Sequence, residues 1–207
     1  MNRKIYIDCG FYQGTSLEHF KRTPEYTNDF IYYGFDPMMN LEKSRAKFST
    51  VNLDNKALWT NDGEITFYVS RRHSGKANSV YHNKRAGKGE QTRSVPCIDF
   101  SKWLSNNFNE DDYIILKMDI EGAEYEVIPK LLKDGTINLI DVIYLEWHSC
   151  RVDDNKWIVA NELITELKKV KGLQLRGSLE RYLQSLIVIQ NKQKQIAEQN
   201  KINKEKT

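Results

Sequence analysis

The stretch Tyr113–Leu132, YIILKMDIEGAEYEVIPKLL, decides the fold, because charged residues follow directly on a strand too apolar to be anything but buried. Ile114, Ile115 and Leu116 form a short continuous apolar run, the mark of a strand covered on both faces. Lys117, Asp119 and Glu121 alternate with Met118 and Ile120, so they share one face for as long as the strand lasts. Gly122 breaks the run, and from Ala123 onward the spacing Val127, Ile128, Leu131, Leu132 is helical. The charges therefore sit where a buried strand turns into a helix, the edge at which open α/β sheets bind ligands.

The first residues supply the complementary half. Ile5, Tyr6 and Ile7 read as a strand, and IDCGFYQGTSLEHF carries it through Asp8 into a turn with Gly10 and Gly14 and a helix opening near Thr15 or Ser16. Strand, glycine turn and helix N-terminus together are a general recipe for holding a nucleotide-like cofactor. FIYYGFDP then gives a second apolar strand ending in Asp36, with Pro37 blocking its extension. An acidic side chain there can accept hydrogen bonds from both hydroxyls of a ribose.

Glycine spacing discriminates between cofactors. A dinucleotide-binding turn wants Gly at its first, third and sixth positions so that bare backbone can approach a pyrophosphate. Counted from Gly10, this chain has Tyr12 and Thr15 at the other two. S-adenosylmethionine carries no pyrophosphate, and its sulfonium and amino-acid end need backbone room at Gly10 and a carboxylate such as Asp8 nearby. The spacing favours the methyl donor over NAD.

Asp8-Cys9-Gly10 through Gly14, Asp36 after the second strand, KMDIEGAEYEVI at Lys117–Ile128 and IYLEWH at Ile143–His148 together resemble the FkbM family of S-adenosylmethionine-dependent O-methyltransferases. The resemblance runs from about Ile5 to Asn191 and is most specific around Lys117. It implies a class I methyltransferase fold: a Rossmann-like, doubly wound, mostly parallel seven-stranded sheet with helices on both faces, in the order 3-2-1-4-5-7-6 with the seventh strand antiparallel. It also implies methylation of a hydroxyl on a small molecule, macrolide or sugar. The cofactor-binding residues expected on this basis are Asp8, Gly10, Tyr12, Gly14, Asp36, Pro37 and Ala57. Phe11 and Tyr12 depart from the pattern, since family members usually carry a small residue and Asn at these positions.

The remaining segments fill in a doubly wound sheet. Val51–Leu58 reads as the third strand and its exit, Asn61-Asp62-Gly63 as a turn and ITFYVS as an added strand. A helix starts near Ser101. DVIYLEWH is a fifth strand whose outer end carries Glu146 and His148 on one face, ANELITELKKV an amphipathic helix, LQLRG a sixth strand and SLIVIQN a seventh. Between the added strand and the Ser101 helix, Arg71–Arg93 holds Arg71, Arg72, Lys76, Lys84, Arg85, Lys88 and Arg93 against Glu90 alone. Its glycines and lack of periodicity read as a loop, either solvated surface or a lid that recognises an anionic acceptor.

At 207 residues and 40% hydrophobic the chain can bury one core, read as a methyltransferase domain over 1–190. No secretory h-region precedes the first strand, and no apolar run approaches the ~18 residues of a membrane helix. Cys9, Cys97 and Cys150 are odd in number and belong to no metal motif, which favours reduced thiols in a cytoplasmic setting, with Cys9 a small buried hydrophobe. Net charge is +3, and residues 191–207, with five Lys and two Glu, carry all of it as a polar, disordered extension.

Transfer to an alcohol needs a base for the hydroxyl proton. Asp119, Glu121, Glu146 and His148 are the candidates, with Lys117 beside Asp119 in the catalytic set. The alternative structural reading makes Lys117 a partner of Asp119, and Glu121 with Glu124 a helix cap and dipole partner. The same four candidates could hold Mg²⁺, which would lower the hydroxyl's pKa. A nucleic-acid 2′-O-methyltransferase and a catalytically silent cofactor-binding protein are the competing readings. The first wants a broader basic face than the one loop offers, and the intact Asp36 and Asp119 speak against the second.

Overall fold

The computed structural model describes residues 2–69, 78–81, 91–148, 156–179 and 181. The first strand, β1 (Lys4–Cys9), and the strand of the deciding stretch, β7 (Tyr113–Met118), lie side by side and parallel, with Asp8 opposite Lys117 and Cys9 opposite Met118. From Ile5 to Cys9 and from Ile114 to Met118 every residue is buried, as expected for strands covered on both faces. On the far side of β1 lie β2 (Phe30–Phe35) and β3 (Val51–Asp54), and beyond β7 lie β8 (Val142–Leu145) and β9 (Gln174–Arg176). The sheet runs β3-β2-β1-β7-β8-β9 with every pairing parallel.

Strand alternation divides the core in two. Ile5, Ile7, Cys9, Ile114, Leu116, Met118, Ile143 and Leu145 face α3 (Phe100–Asn107), α4 (Glu124–Asp134) and α5 (Lys156–Leu167). Within α4 the residues Val127, Ile128 and Leu131 are buried at helical spacing, each contributing about 1.5–3 kcal/mol by burial. Tyr6, Ile115, Val142 and Tyr144 face the other way, onto Leu17 and Phe20 of α1 (Thr15–Phe20) and onto Phe11, Met39 and Phe48. Short α2 (Leu41–Lys47), capped by the Asn40 side chain, connects β2 to β3. No described helix is long and apolar enough to cross a membrane.

Three sequence expectations change. Val51–Leu58 is not one strand and its exit: the chain leaves the main sheet after Asp54, and β4 (Ala57–Trp59) joins a second sheet with β5 (Gly63–Val69) and β6 (Gln91–Asp99), ordered β4-β6-β5. The end of the expected basic loop is strand, since Arg93 pairs with Phe67 in the antiparallel β5–β6 ladder. Val95 and Cys97 point inward with Ala57 and Phe67, but the exposed polar start of β6 hid this alternation. Asp99 then caps α3 by accepting from the Lys102 N–H at 3.0 Å, and the helix begins at Phe100, next to the expected Ser101. Lastly, the fifth and sixth core strands, β8 and β9, pair directly instead of flanking a seventh, with the Gln174 N–H donating to the Asp141 carbonyl at 2.7 Å. The expected seventh strand, residues 71–77 and 82–90 of the basic segment, Cys150 and the 191–207 extension lie outside the described residues.

Candidate active site

The strand ends are stitched together at the C-terminal edge of the main sheet. Asp119 N–H donates to the Cys9 carbonyl at 3.1 Å, Glu146 N–H to the Met118 carbonyl at 3.0 Å, and the Gly10 and Phe11 N–H groups to the Phe35 carbonyl at 2.9 and 3.0 Å. This close approach is why position 10 is glycine. Gly10 has φ +92°, and a Cβ there would lie 1.9 Å from the Asp119 carbonyl oxygen. The backbone of the β7 turn fills the space that a side chain at position 10 would take, while Gly10 itself lines the cavity described below. Gly14, at φ +74°, similarly faces the rings of Phe48 and Phe11.

Phe11 belongs to the core. It is buried against Phe48 in an edge-on contact with centroids 5.1 Å apart, and it covers the bare Cα of Gly34. Phe11 is therefore a packing residue beneath the turn. Tyr12 follows with φ +41°, a left-handed conformation that Asn adopts more readily than an aromatic residue. Its N–H donates to Asp36 Oδ2 at 3.0 Å, and the Met38 N–H donates to Oδ1 at 2.8 Å. Burial raises the Asp36 pKa, against the pull of these two backbone donors.

Lys117 ties the two halves of the site together. Its ammonium, almost fully buried, lies 3.1 Å from Asp8 Oδ1 and 3.3 Å from Asp119 Oδ2, and donates to the Gly10 carbonyl at 3.0 Å. Burial opposes its charge, but the two carboxylates outweigh burial and hold its pKa above the ordinary lysine value. Asp8 is fully buried, and burial pushes its pKa up to about 6 despite Lys117. A lysine so committed positions its neighbours and is a poor proton acceptor.

After β7 the chain turns sharply, with Glu121 at φ +57° and Gly122 at φ +108°. Glu124, the first residue of α4, has no exposed surface. Its carboxylate accepts from the Ile120 N–H at 2.8 Å and the Gly122 N–H at 2.7 Å, and its Oε1 lies 3.2 Å from His148 Nδ1. The other imidazole nitrogen, Nε2, is 3.5 Å from both Asp119 Oδ1 and Glu121 Oε2. Burial alone would lower the His148 pKa, but the hydrogen bond and charge of Glu124, with the charges of Asp119 and Glu146, raise it above 6.5. From the second sheet's side, Ser79 Oγ donates to the Glu121 carbonyl at 2.6 Å and the Tyr81 hydroxyl to Glu126 Oε1 at 2.6 Å.

A cavity of about 380 Å³ opens over these elements. Of the expected residues, Gly10, Tyr12, Asp36, Pro37, Ala57, Lys117, Asp119 and Glu121 line it, as does Glu146. Asp8, Gly14 and His148 stand behind the lining: Lys117 covers Asp8, and Asp119 and Glu121 separate His148 from the space. Glu146 lines the cavity and His148 stands behind it, and because β8 ends at Leu145 strand alternation does not set these two positions. The possible metal set also narrows. Among the described residues Asp119, Glu121 and His148 bring atoms within 4.8 Å of one another, close enough to share a proton or a divalent cation, and Glu146 is outside that group.

Sequence reasoning missed Ser79, Asn78 and Leu179, which reach the turn or the cavity from distant segments. It read Glu124 only as a cap. A buried Glu amid the apolar spacing of α4 was the available signal, but its partner His148 is 24 residues away. A family model described as the methyltransferase FkbM domain matches residues 8–178. No curated protein and no solved structure matches the chain.

Proposed function

The chain belongs to the FkbM methyltransferase family, and from that premise we propose that it transfers the methyl group of S-adenosylmethionine to a hydroxyl of a small molecule or sugar. The observation that carries this reading is that one cavity is walled on one side by Gly10, Tyr12 and Asp36 and on another by Asp119, Glu121 and Glu146. The first wall suits the cofactor. Each Asp36 oxygen accepts one backbone N–H, and a carboxylate keeps further lone pairs for the two hydroxyls of a ribose. The second wall suits an alcohol acceptor, because it places carboxylates where a hydroxyl proton must leave.

Methyl transfer from a sulfonium is an in-line displacement, so alignment supplies most of the rate, up to about 7–11 kcal/mol in well-oriented systems. The cradle built by Lys117 on Asp8, Asp119 and the Gly10 carbonyl holds both walls at fixed separation. Asp119, exposed to the cavity, is the group we assign to accept the acceptor's proton, which is worth about 10²–10⁴-fold. In this reading residues 1–190 form the methyltransferase domain with 191–207 a polar extension, and the basic segment Arg71–Arg93 is either solvated surface or a contact for an anionic acceptor. Cys9 and Cys97, both buried free thiols, support a reducing cytoplasmic setting.

The test is transfer of labelled methyl from S-adenosylmethionine to a panel of polyols, glycans and short RNAs. Label on a free hydroxyl of a small acceptor supports the assignment. Label on RNA alone would replace it with the nucleic-acid reading.

A further inference from the structure

Glu124 occupies a position that only an acceptor can fill. Its two oxygens meet the N–H groups of Ile120 and Gly122, and both of these are donors. An ionised carboxylate donates nothing, so the hydrogen of its third contact, with His148 Nδ1 at 3.2 Å, comes from the imidazole. Nδ1 therefore carries the proton in the neutral ring, and Nε2 carries the lone pair. That lone pair lies 3.5 Å from Asp119 Oδ1 and Glu121 Oε2, the two carboxylates that face the cavity.

We propose that Glu124 is a positioning residue that fixes His148 as its Nδ1–H tautomer, so that Nε2 receives, through Asp119 or Glu121, the proton lost by the acceptor hydroxyl. The inference rests on the methyltransferase reading of the cavity. In the step, the acceptor oxygen forms a bond to the methyl carbon as the carbon–sulfur bond breaks. The electron pair of that bond stays on sulfur, which becomes a neutral thioether, and the hydroxyl proton passes to the carboxylate and on to Nε2. Glu124 on α4, Asp119 and Glu121 on the turn after β7 and Glu146 on His148's own segment are the charged groups that face the ring, and all four favour its protonated form.

The same geometry makes glutamine a poor substitute. Its amide would set an NH₂ either against the Gly122 N–H or against both the Ile120 N–H and His148 Nδ1, so at least one of these bonds is lost whichever way it is turned. Nitrogen-15 NMR of the full chain labelled at histidine, with His148→Asn to assign the signal, reads the tautomer at a pH where the ring is neutral. The expected spectrum has a protonated Nδ1 and a bare Nε2; a bare Nδ1 with a protonated Nε2 overturns the proposal. That reading uses the wild-type chain and stands whether or not any variant folds. In Glu124→Gln the signal should move to mixed tautomers, and kcat should fall about 10-fold or more with S-adenosylhomocysteine affinity within about twofold of wild type. Unchanged kcat in a variant with scrambled tautomers also overturns it. Failure of the wild type to bind S-adenosylhomocysteine refutes the cofactor reading instead, and leaves the tautomer result intact.

Discussion

At Gly10 the φ of +92° and the 1.9 Å approach of the Asp119 carbonyl to any Cβ leave no conformation for alanine that keeps both strand ends in place. Gly10→Ala should cost at least about 3 kcal/mol, at the upper end of single substitutions, because strained backbone and steric overlap act together. Urea denaturation measures it, and a loss below about 1 kcal/mol would mean that the two turns part easily. Asp119 is a different kind of residue, exposed to the cavity and paired with Lys117 at one oxygen and His148 at the other. Asp119→Asn keeps its size and removes its charge, so methyl transfer should fall about 10²-fold or more with the circular dichroism spectrum unchanged. Near wild-type turnover would move Asp119 to the supporting structure. Both positions were legible in the sequence, but their reasons were not equally so. Asp119 stood out because a carboxylate at the end of a central strand is unusual, whereas the need for glycine at position 10 comes from Asp119 itself, far along the chain and adjacent only once β1 and β7 pair.

Between β1 and β7 the coupled elements are Asp8 and Lys117, opposite one another in register. Burial lifts the Asp8 pKa from 3.8 to about 6, so between those values the native protein binds more protons than the unfolded chain. The Asp8 contribution to stability is then fully present below the unfolded value and is lost as pH rises through about 6. The unfolding free energy of wild type relative to Asp8→Asn should accordingly increase as pH is lowered from about 7 to 4, measured by urea melts at each pH. A difference that is constant or runs the other way would place Asp8 in a more hydrated environment than β1 provides. The partner substitution is harsher. Lys117→Met leaves two carboxylates without their cation and should cost about 3–5 kcal/mol near neutral pH, as for other broken buried pairs. The alternation of Lys117 and Asp119 pointed to those two as partners, whereas the pairing of Lys117 with Asp8 comes from the β1–β7 register, and the Glu121 turn is shaped by Glu124 and Ser79 rather than by any strand period.

Across the whole molecule, the continuous apolar runs of β1 and β7 made the parallel sheet readable, since strands buried on both faces carry such runs. The second sheet was harder to see, because β6 begins with exposed polar residues and finds its inward alternation only at Val95 and Cys97. Its contribution to the site, through Ala57, Phe67 and the Ser79 segment, depends on contacts that no local spacing encodes. Main sheet, second sheet and acidic turn converge on one cavity, and the central claim is that this cavity holds S-adenosylmethionine. Thermal unfolding with S-adenosylhomocysteine or NAD tests that claim most directly. A ligand that binds only the native state contributes about 2.7 kcal/mol at a hundredfold excess over Kd, equivalent to roughly 5–10 °C in Tm for a domain of this size. S-adenosylhomocysteine should produce that shift and NAD none; a shift with NAD and none with S-adenosylhomocysteine would contradict the account.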